Sequence, residues 1–204
     1  MTKLQLPNVT LVCIDGRQDN SSSVKAVNHC LKLCDFGDVF FYPGKDINSE
    51  EAYSAFILKE LHLYIKTHAL IIQNDGYILN PKAWEDVFLT YDYIGAPWDL
   101  YPAHQWPGFD NVTSKNCVGN GGFSLRSKSL LKATSEIFTA SNPKIYHPED
   151  AWICRNQRDQ LEKGYYLKFA PLEVASKFSV ENTVYSGQFG FHGKLTALIN
   201  KFSI

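Results

Sequence analysis

The chain has 204 residues, 45% of them apolar and 14% aromatic, enough to bury a sizeable core within one domain. Its 20 basic and 21 acidic residues nearly cancel, and no cluster of Lys or Arg offers the electrostatic footprint that polynucleotide binding requires. No apolar run approaches the roughly 20 residues of a membrane-spanning helix, and the start, Met1-Thr2-Lys3-Leu4-Gln5-Leu6-Pro7-Asn8, lacks the basic and long apolar regions of a signal peptide, which points to the cytoplasm.

Val9-Thr10-Leu11-Val12-Cys13-Ile14 is a nearly continuous apolar run ended by Asp15-Gly16 and reads as a strand covered on both faces. Val24, Val27, Leu31 and Cys34 then recur at helical spacing behind several N-cap candidates. Asp38-Val39-Phe40-Phe41-Tyr42 gives a second strand, stopped by Pro43-Gly44, and Ser49-Glu50-Glu51 opens a helix expected to reach about Ile65. Ala69-Leu70-Ile71-Ile72-Gln73 is a third strand. This alternation predicts an α/β fold with a central, mostly parallel sheet flanked by helices, whose ligands bind beyond the carboxyl ends of the strands.

The second half is less regular. Residues 97–115 form a loop rich in aromatics and proline, longer than a connector needs to be. Gly121-Gly122-Phe123-Ser124-Leu125-Arg126 reads as a strand, residues 127–137 as a helix, Glu149 to about Leu161 as another helix entered at Pro148, and Tyr166-Leu167-Lys168-Phe169 as a last strand. Residues 176–193 match no pattern. The five cysteines are odd in number and lack zinc-site spacing, which implies buried, reduced thiols.

Several constellations carry chemistry. Asp75 follows an apolar strand and precedes Gly76, a place where a carboxylate holds a divalent cation that neutralises a departing diphosphate; Asn74-Asp75-Gly76 is equally the composition of a tight turn. Gly119-Asn120-Gly121-Gly122 clears side chains from a surface that a substrate can approach. Glu149 and Asp150 suit a helix start for dipole reasons alone, or supply a general base. His192 lies between glycines in Gly190-Phe191-His192-Gly193, where imidazole is available as a ligand, and Lys194 offers a charge to phosphate. Trp98, Tyr101, Trp106 and Phe109 carry flat faces of the kind that stack on sugars.

Taken in order, the segments around Asp15-Gly16-Arg17, Asn74-Asp75-Gly76-Tyr77, Gly121 to Arg126, Pro148-Glu149-Asp150 and Phe191-His192-Gly193 resemble glycosyltransferases of the GT-A (Rossmann-like) fold. Among these the chain is similar to the small domains of bacterial polysaccharide loci and of large DNA viruses, chlorella viruses included. The resemblance covers about residues 8 to 194 and implies one GT-A-like domain over 1–204, with the ending near Ile204 suggesting further domains of the same polypeptide. A viral member would act in the host cytoplasm.

The resemblance further implies a metal-dependent hexosyltransferase that moves a hexose or deoxyhexose from a UDP-sugar donor to a hydroxyl of a glycan acceptor with inversion. Asp75 and His192 would hold Mn2+ or Mg2+. Asp15, Gly16, Arg17, Tyr42, Asn74, Gly121, Gly122 and Lys194 would contact the donor, and Trp98 and Trp106 the acceptor. Asp150 would be the base, with Glu149 its close competitor. The chain departs from the family's Asp-x-Asp motif in carrying Gln73 at the place of the first acid. Two rivals stay open: a retaining transferase on the same fold, and a non-catalytic module that binds nucleotide-sugars or glycans.

Overall fold

The computed structural model describes residues 2–98, 113 and 115–193. The chain is a single α/β unit built on a five-stranded sheet of order β2-β1-β3-β6-β5, comprising β1 (Leu4–Ile14), β2 (Cys34–Tyr42), β3 (His68–Ile72), β5 (Tyr93–Gly95) and β6 (Phe123–Ser127). β1 pairs parallel with both β2 and β3, whereas β6 runs antiparallel to its neighbours β3 and β5. The sheet is therefore mixed. The expected first three strands are present, and β1 begins earlier than the apolar run, past an irregularity at Pro7 whose carbonyl occupies the space a side chain at Gly37 would need.

Strand alternation divides the interior. Leu11, Cys13, Leu70, Ile72, Phe123 and Leu125 face one layer, covered by α1 (Ser21–Leu33), α6 (Leu172–Phe178) and a small second sheet of order β4-β8-β7, made from β4 (Gly76–Ile78), β7 (Ser179–Val180) and β8 (Gly190–His192). Val12, Ile14, Ala69 and Ile71 face the other layer, under α2 (Glu50–Lys59) and α3 (Lys128–Ser141). On that second face β6 presents Ser124 and Arg126, both fully buried. All five cysteines are free and buried, and burial pushes the thiols of Cys13, Cys30, Cys34 and Cys154 up to about 12.

Three sequence expectations are corrected. α1 buries Ser23, Ala26, Val27 and Cys30 while Val24 is exposed and Cys34 already belongs to β2, so the buried stripe is set by small residues that let the helix approach the sheet. The helix starting at Glu149 is not continuous: α4 (Glu149–Ala151) passes into a π-helical turn, Trp152–Asn156, before α5 (Arg158–Gly164). The wider turn keeps Trp152, Ile153, Cys154 and Arg155 all buried, which one stripe of a regular helix does not do. Of residues 166–169 only Phe169 makes a bridge, to Tyr93.

Candidate functional site

The exits of β1 and β3 open onto a cleft. Because β6 is antiparallel, its entry rather than its exit lies there, which brings Gly121 and Gly122 beside the turn after β3: the Gln73 backbone N–H donates to the Gly122 carbonyl at 2.9 Å. The second sheet adds a distant part of the chain. β8 pairs antiparallel with β4 so that His192 lies opposite Gly76, and Gly193 N–H donates to the Asp75 carbonyl.

Two cavities make up the cleft. The first, about 520 Å³, is lined by Asp15, Gly16, Arg17, Ser23, Ile47 and Asn74 among others. Gly16 is required by close packing, since a Cβ there would lie 1.6 Å from the Ile47 carbonyl oxygen. The Asp15 carboxylate is 6% exposed and accepts from Arg17 Nε (2.8 Å), Arg17 Nη2 (2.7 Å) and the Ser23 hydroxyl (2.6 Å). Burial alone would raise its pKa, but these bonds outweigh it and hold the group down at about 2. Asp15 is thus committed to Arg17, whose half-exposed guanidinium is the group presented to the cavity.

The second cavity, about 300 Å³, shares Glu50, Tyr53 and Gln73 with the first and is lined further by Gly121, Gly122, His147, Asp150, Glu181 and His192. At its inner wall Asp150 Oδ2 accepts from Gly121 N–H at 2.8 Å. Glu149, 4% exposed, is paired with the fully buried Arg126 at 2.8 Å, and Arg126 Nε donates to Ser124. The two adjacent acids therefore have different environments. Burial, and then the neighbouring charge of Glu149, push Asp150 up to about 7, while Glu149 is tied to its guanidinium.

On the opposite wall the His192 imidazole is enclosed by polar groups. Nε2 lies 3.2 Å from Asp75 Oδ1 and 3.1 Å from Gln73 Oε1, and Nδ1 lies 3.4 Å from Glu181 Oε1 and 3.1 Å from Asn120 Nδ2. Burial would lower the imidazole pKa, but Asp75 and Glu181 raise it to about 9. Asp75 shifts the other way, its burial outweighed by the bond to His192. The imidazolium form puts Nδ1–H opposite the Asn120 amide, whose Oδ1 is buried without a partner. Exchanging the two ends of that amide places its oxygen, rather than its nitrogen, opposite Nδ1–H. Gly122 makes room for the ring, since a Cβ there would stand 2.2 Å from Nε2.

Most of the residues singled out in the sequence converge here. Asp15, Gly16, Arg17 and Asn74 line the first cavity, and Gly121, Gly122, Glu149, Asp150 and His192 the second; Asp75 joins them through His192. Tyr42 does not: its ring stacks on Phe40 and Phe56 and its hydroxyl donates to Asp46. Trp98 touches the second cavity but is only 6% exposed, with the Arg155 guanidinium 4.3 Å from its ring and Gly119 packed against it, so its broad face is not open to a sugar. Tyr101, Trp106, Phe109 and Lys194 lie outside the described residues. Sequence reasoning missed Ser23, Arg126, Asn120, His147 and Glu181. Two had a signal: Asn120 in its place within the glycine run 119–122, and Arg126 in its two-residue spacing from Ser124 on one strand face.

Among the described residues, no group of three or more His, Cys, Asp or Glu side chains is arranged to hold a metal ion, and no helix is long and apolar enough to cross a membrane. The family described as protein of unknown function DUF5672 matches residues 38–192, a span that contains the second half of β2, all of β3, the turn at Asp75, both acids and His192. No curated protein matches the chain.

Proposed function

The chain belongs to the DUF5672 family, and we propose that it is a metal-dependent glycosyltransferase of the GT-A type that transfers a hexose or deoxyhexose from a UDP-sugar to a glycan hydroxyl with inversion. One observation carries the reading: a part-buried carboxylate, Asp150, lines the same cavity as His192, which is paired with Asp75, and a larger cavity of about 520 Å³ adjoins it.

The donor set fits a divalent cation. A carboxylate and an imidazole suit Mn2+ better than Mg2+, which favours oxygen alone, and Asp75 and His192 would hold it. When bound, the ion supplies charge neutralisation for the diphosphate leaving group. Arg17, fixed by Asp15, is the cation that the first cavity offers to the nucleotide. Gly121 and Gly122 leave backbone as the surface against the sugar.

Asp150 takes the proton from the acceptor hydroxyl as its oxygen bonds to the anomeric carbon, while the carbon–oxygen bond to UDP breaks on the opposite face. Glu149, neutralised by Arg126, stays out of the exchange. A carboxylate pushed toward neutrality is a stronger base than an ordinary one, and this favours the inverting course over the retaining one, which has no task for such a group.

Calorimetric titration with UDP, with and without Mn2+, tests the donor site, and the expected result is Mn2+-dependent binding lost in Asp75→Ala. Absence of binding in every condition would overturn the donor assignment. Stereochemistry is read from the anomeric configuration of the product by NMR, and a retained configuration would remove Asp150 from the role of base.

A further inference from the structure

Resting on the transferase reading above for the origin of its ligand, we propose that the cavity walled by the π-helical turn binds a small oxyanion, a phosphate or carboxylate carried by the acceptor glycan. The cavity, about 350 Å³, is lined by Thr113, Lys115, Asn116, Arg155, Asn156 and Arg158, together with Asp159. Among the described residues it shares no lining residue with either cavity of the cleft. Its volume is that of a small-molecule site, yet every described side chain that lines it is polar or charged.

The turn accounts for the two arginines. Gln157 N–H donates to the Trp152 carbonyl five residues back at 2.9 Å, and Arg155 and Arg158 are buried alike, at 5% and 9% exposure. Turns of this width recur at functional sites. Each guanidinium carbon stands 4.3 Å from the centre of an aromatic ring, Trp98 for Arg155 and Phe169 for Arg158. A ring covers one face of each ion, so the in-plane N–H groups meet an acceptor, the fork that suits phosphate and carboxylate. Arg158 Nε donates to Glu162 at 2.9 Å, while its Nη1 is buried with no hydrogen-bond partner. A buried donor left without an acceptor is costly, and an oxyanion entering the cavity supplies one.

The charges around the cavity favour an anion. Lys115, Arg155, Arg158 and Lys163 stand against Asp159 and Glu162, and both acids are engaged: Asp159 by Lys115 at 3.4 Å and Lys163 at 2.9 Å, Glu162 by Arg158. The Lys115–Asp159 pair is exposed on both sides and therefore weak, so Lys115 turns to an incoming anion at little cost. Arg155 joins the site to the cleft, because Trp98, on which it stacks, lines the second cavity with Asp150. A glycan that passes Trp98 on its way to Asp150 carries its acidic group into this cavity, which makes the acceptor an acidic glycan.

The experiment is calorimetric titration of glucose 6-phosphate, glucuronate, inorganic phosphate and glucose into the full chain, beside thermal unfolding of each variant. The expected result is that at least one sugar acid binds, about tenfold or more tighter than inorganic phosphate, while glucose does not bind; the tighter of the two acids identifies the group. Binding is expected to weaken about tenfold or more in Arg158→Lys, which keeps the charge and loses the fork, and in Lys115→Ala, and to be unchanged in Arg17→Ala. Affinity lost in Arg17→Ala and kept in Arg158→Lys would place the anion in the first cavity and overturn the site. If Arg158→Lys melts early, Lys115→Ala decides at an exposed position, and wild-type affinity there would overturn the site. Inorganic phosphate binding as tightly as either sugar acid would remove the assignment to the acceptor. UDP binding by a chain that binds no oxyanion would overturn the site and leave the donor reading standing, and oxyanion binding without UDP binding would do the reverse.

Discussion

At the residue scale, adjacent identical chemistry is separated by partners. Glu149 and Asp150 are neighbours, yet one is neutralised by Arg126 and the other is left to burial and repulsion, which raise its pKa. Asp150→Asn is expected to lower transfer by about 10²–10⁴-fold with UDP affinity unchanged by calorimetry. In the wild type, kcat/KM should fall as pH drops through neutrality, because protonated Asp150 accepts no proton, and an acid limb with the midpoint of an ordinary carboxylate would count against it. Asp15 behaves in the opposite sense. Its folded pKa of about 2 lies below the ordinary 3.8, so the stability it contributes is present above about pH 4 and lost as pH falls toward 2. Asp15→Asn should unfold at a lower temperature at pH 7 and show a flatter acid limb in thermal scans.

At the element scale, glycines and caps decide what joins what. Gly122→Ala would drive a Cβ into the His192 ring, a side chain that can swing away, whereas at Gly16 the obstacle is the Ile47 backbone carbonyl. The expected outcome is a folded Gly122→Ala protein without Mn2+ binding and a Gly16→Ala protein whose far-UV circular dichroism melts early. Ser127 ends β6 and caps α3, accepting from Leu130 N–H while donating to Asp92; Ser127→Ala should cost about 1–2 kcal/mol in urea unfolding.

Legibility followed the same division. β1, β3 and the Ser49 cap of α2 were readable because unbroken apolar runs and cap residues are local signals. β5, β4 and β8 are three residues each and exist through long-range pairing, which no window of sequence records. Glu181 was invisible for that reason: nothing near it announces a histidine eleven positions on. Tyr42 misled because it ends a strand at the correct edge of the sheet but turns its ring into the Phe40–Phe56 stack.

At the scale of the whole molecule, the cleft is assembled from the ends of strands in one sheet and a hairpin-like pairing in another, and the two share one core through Phe123, Phe178, Phe189 and Phe191. A ligand spanning both cavities therefore binds only the complete fold. At about a hundred times its dissociation constant, UDP with Mn2+ should add roughly 2.7 kcal/mol and raise Tm by roughly 5–10 °C, measured by differential scanning fluorimetry. Asp75→Ala should lose that shift.

His192 reaches Asp75 across 117 positions of chain, by way of a strand that is the last described element. During synthesis on the ribosome the cleft thus lacks one wall until nearly all of these residues have emerged. A chain stopped before β8, even one carrying Asp75 and Asp150, would lack the wall that His192 and Gly193 add beside the turn at Asp75.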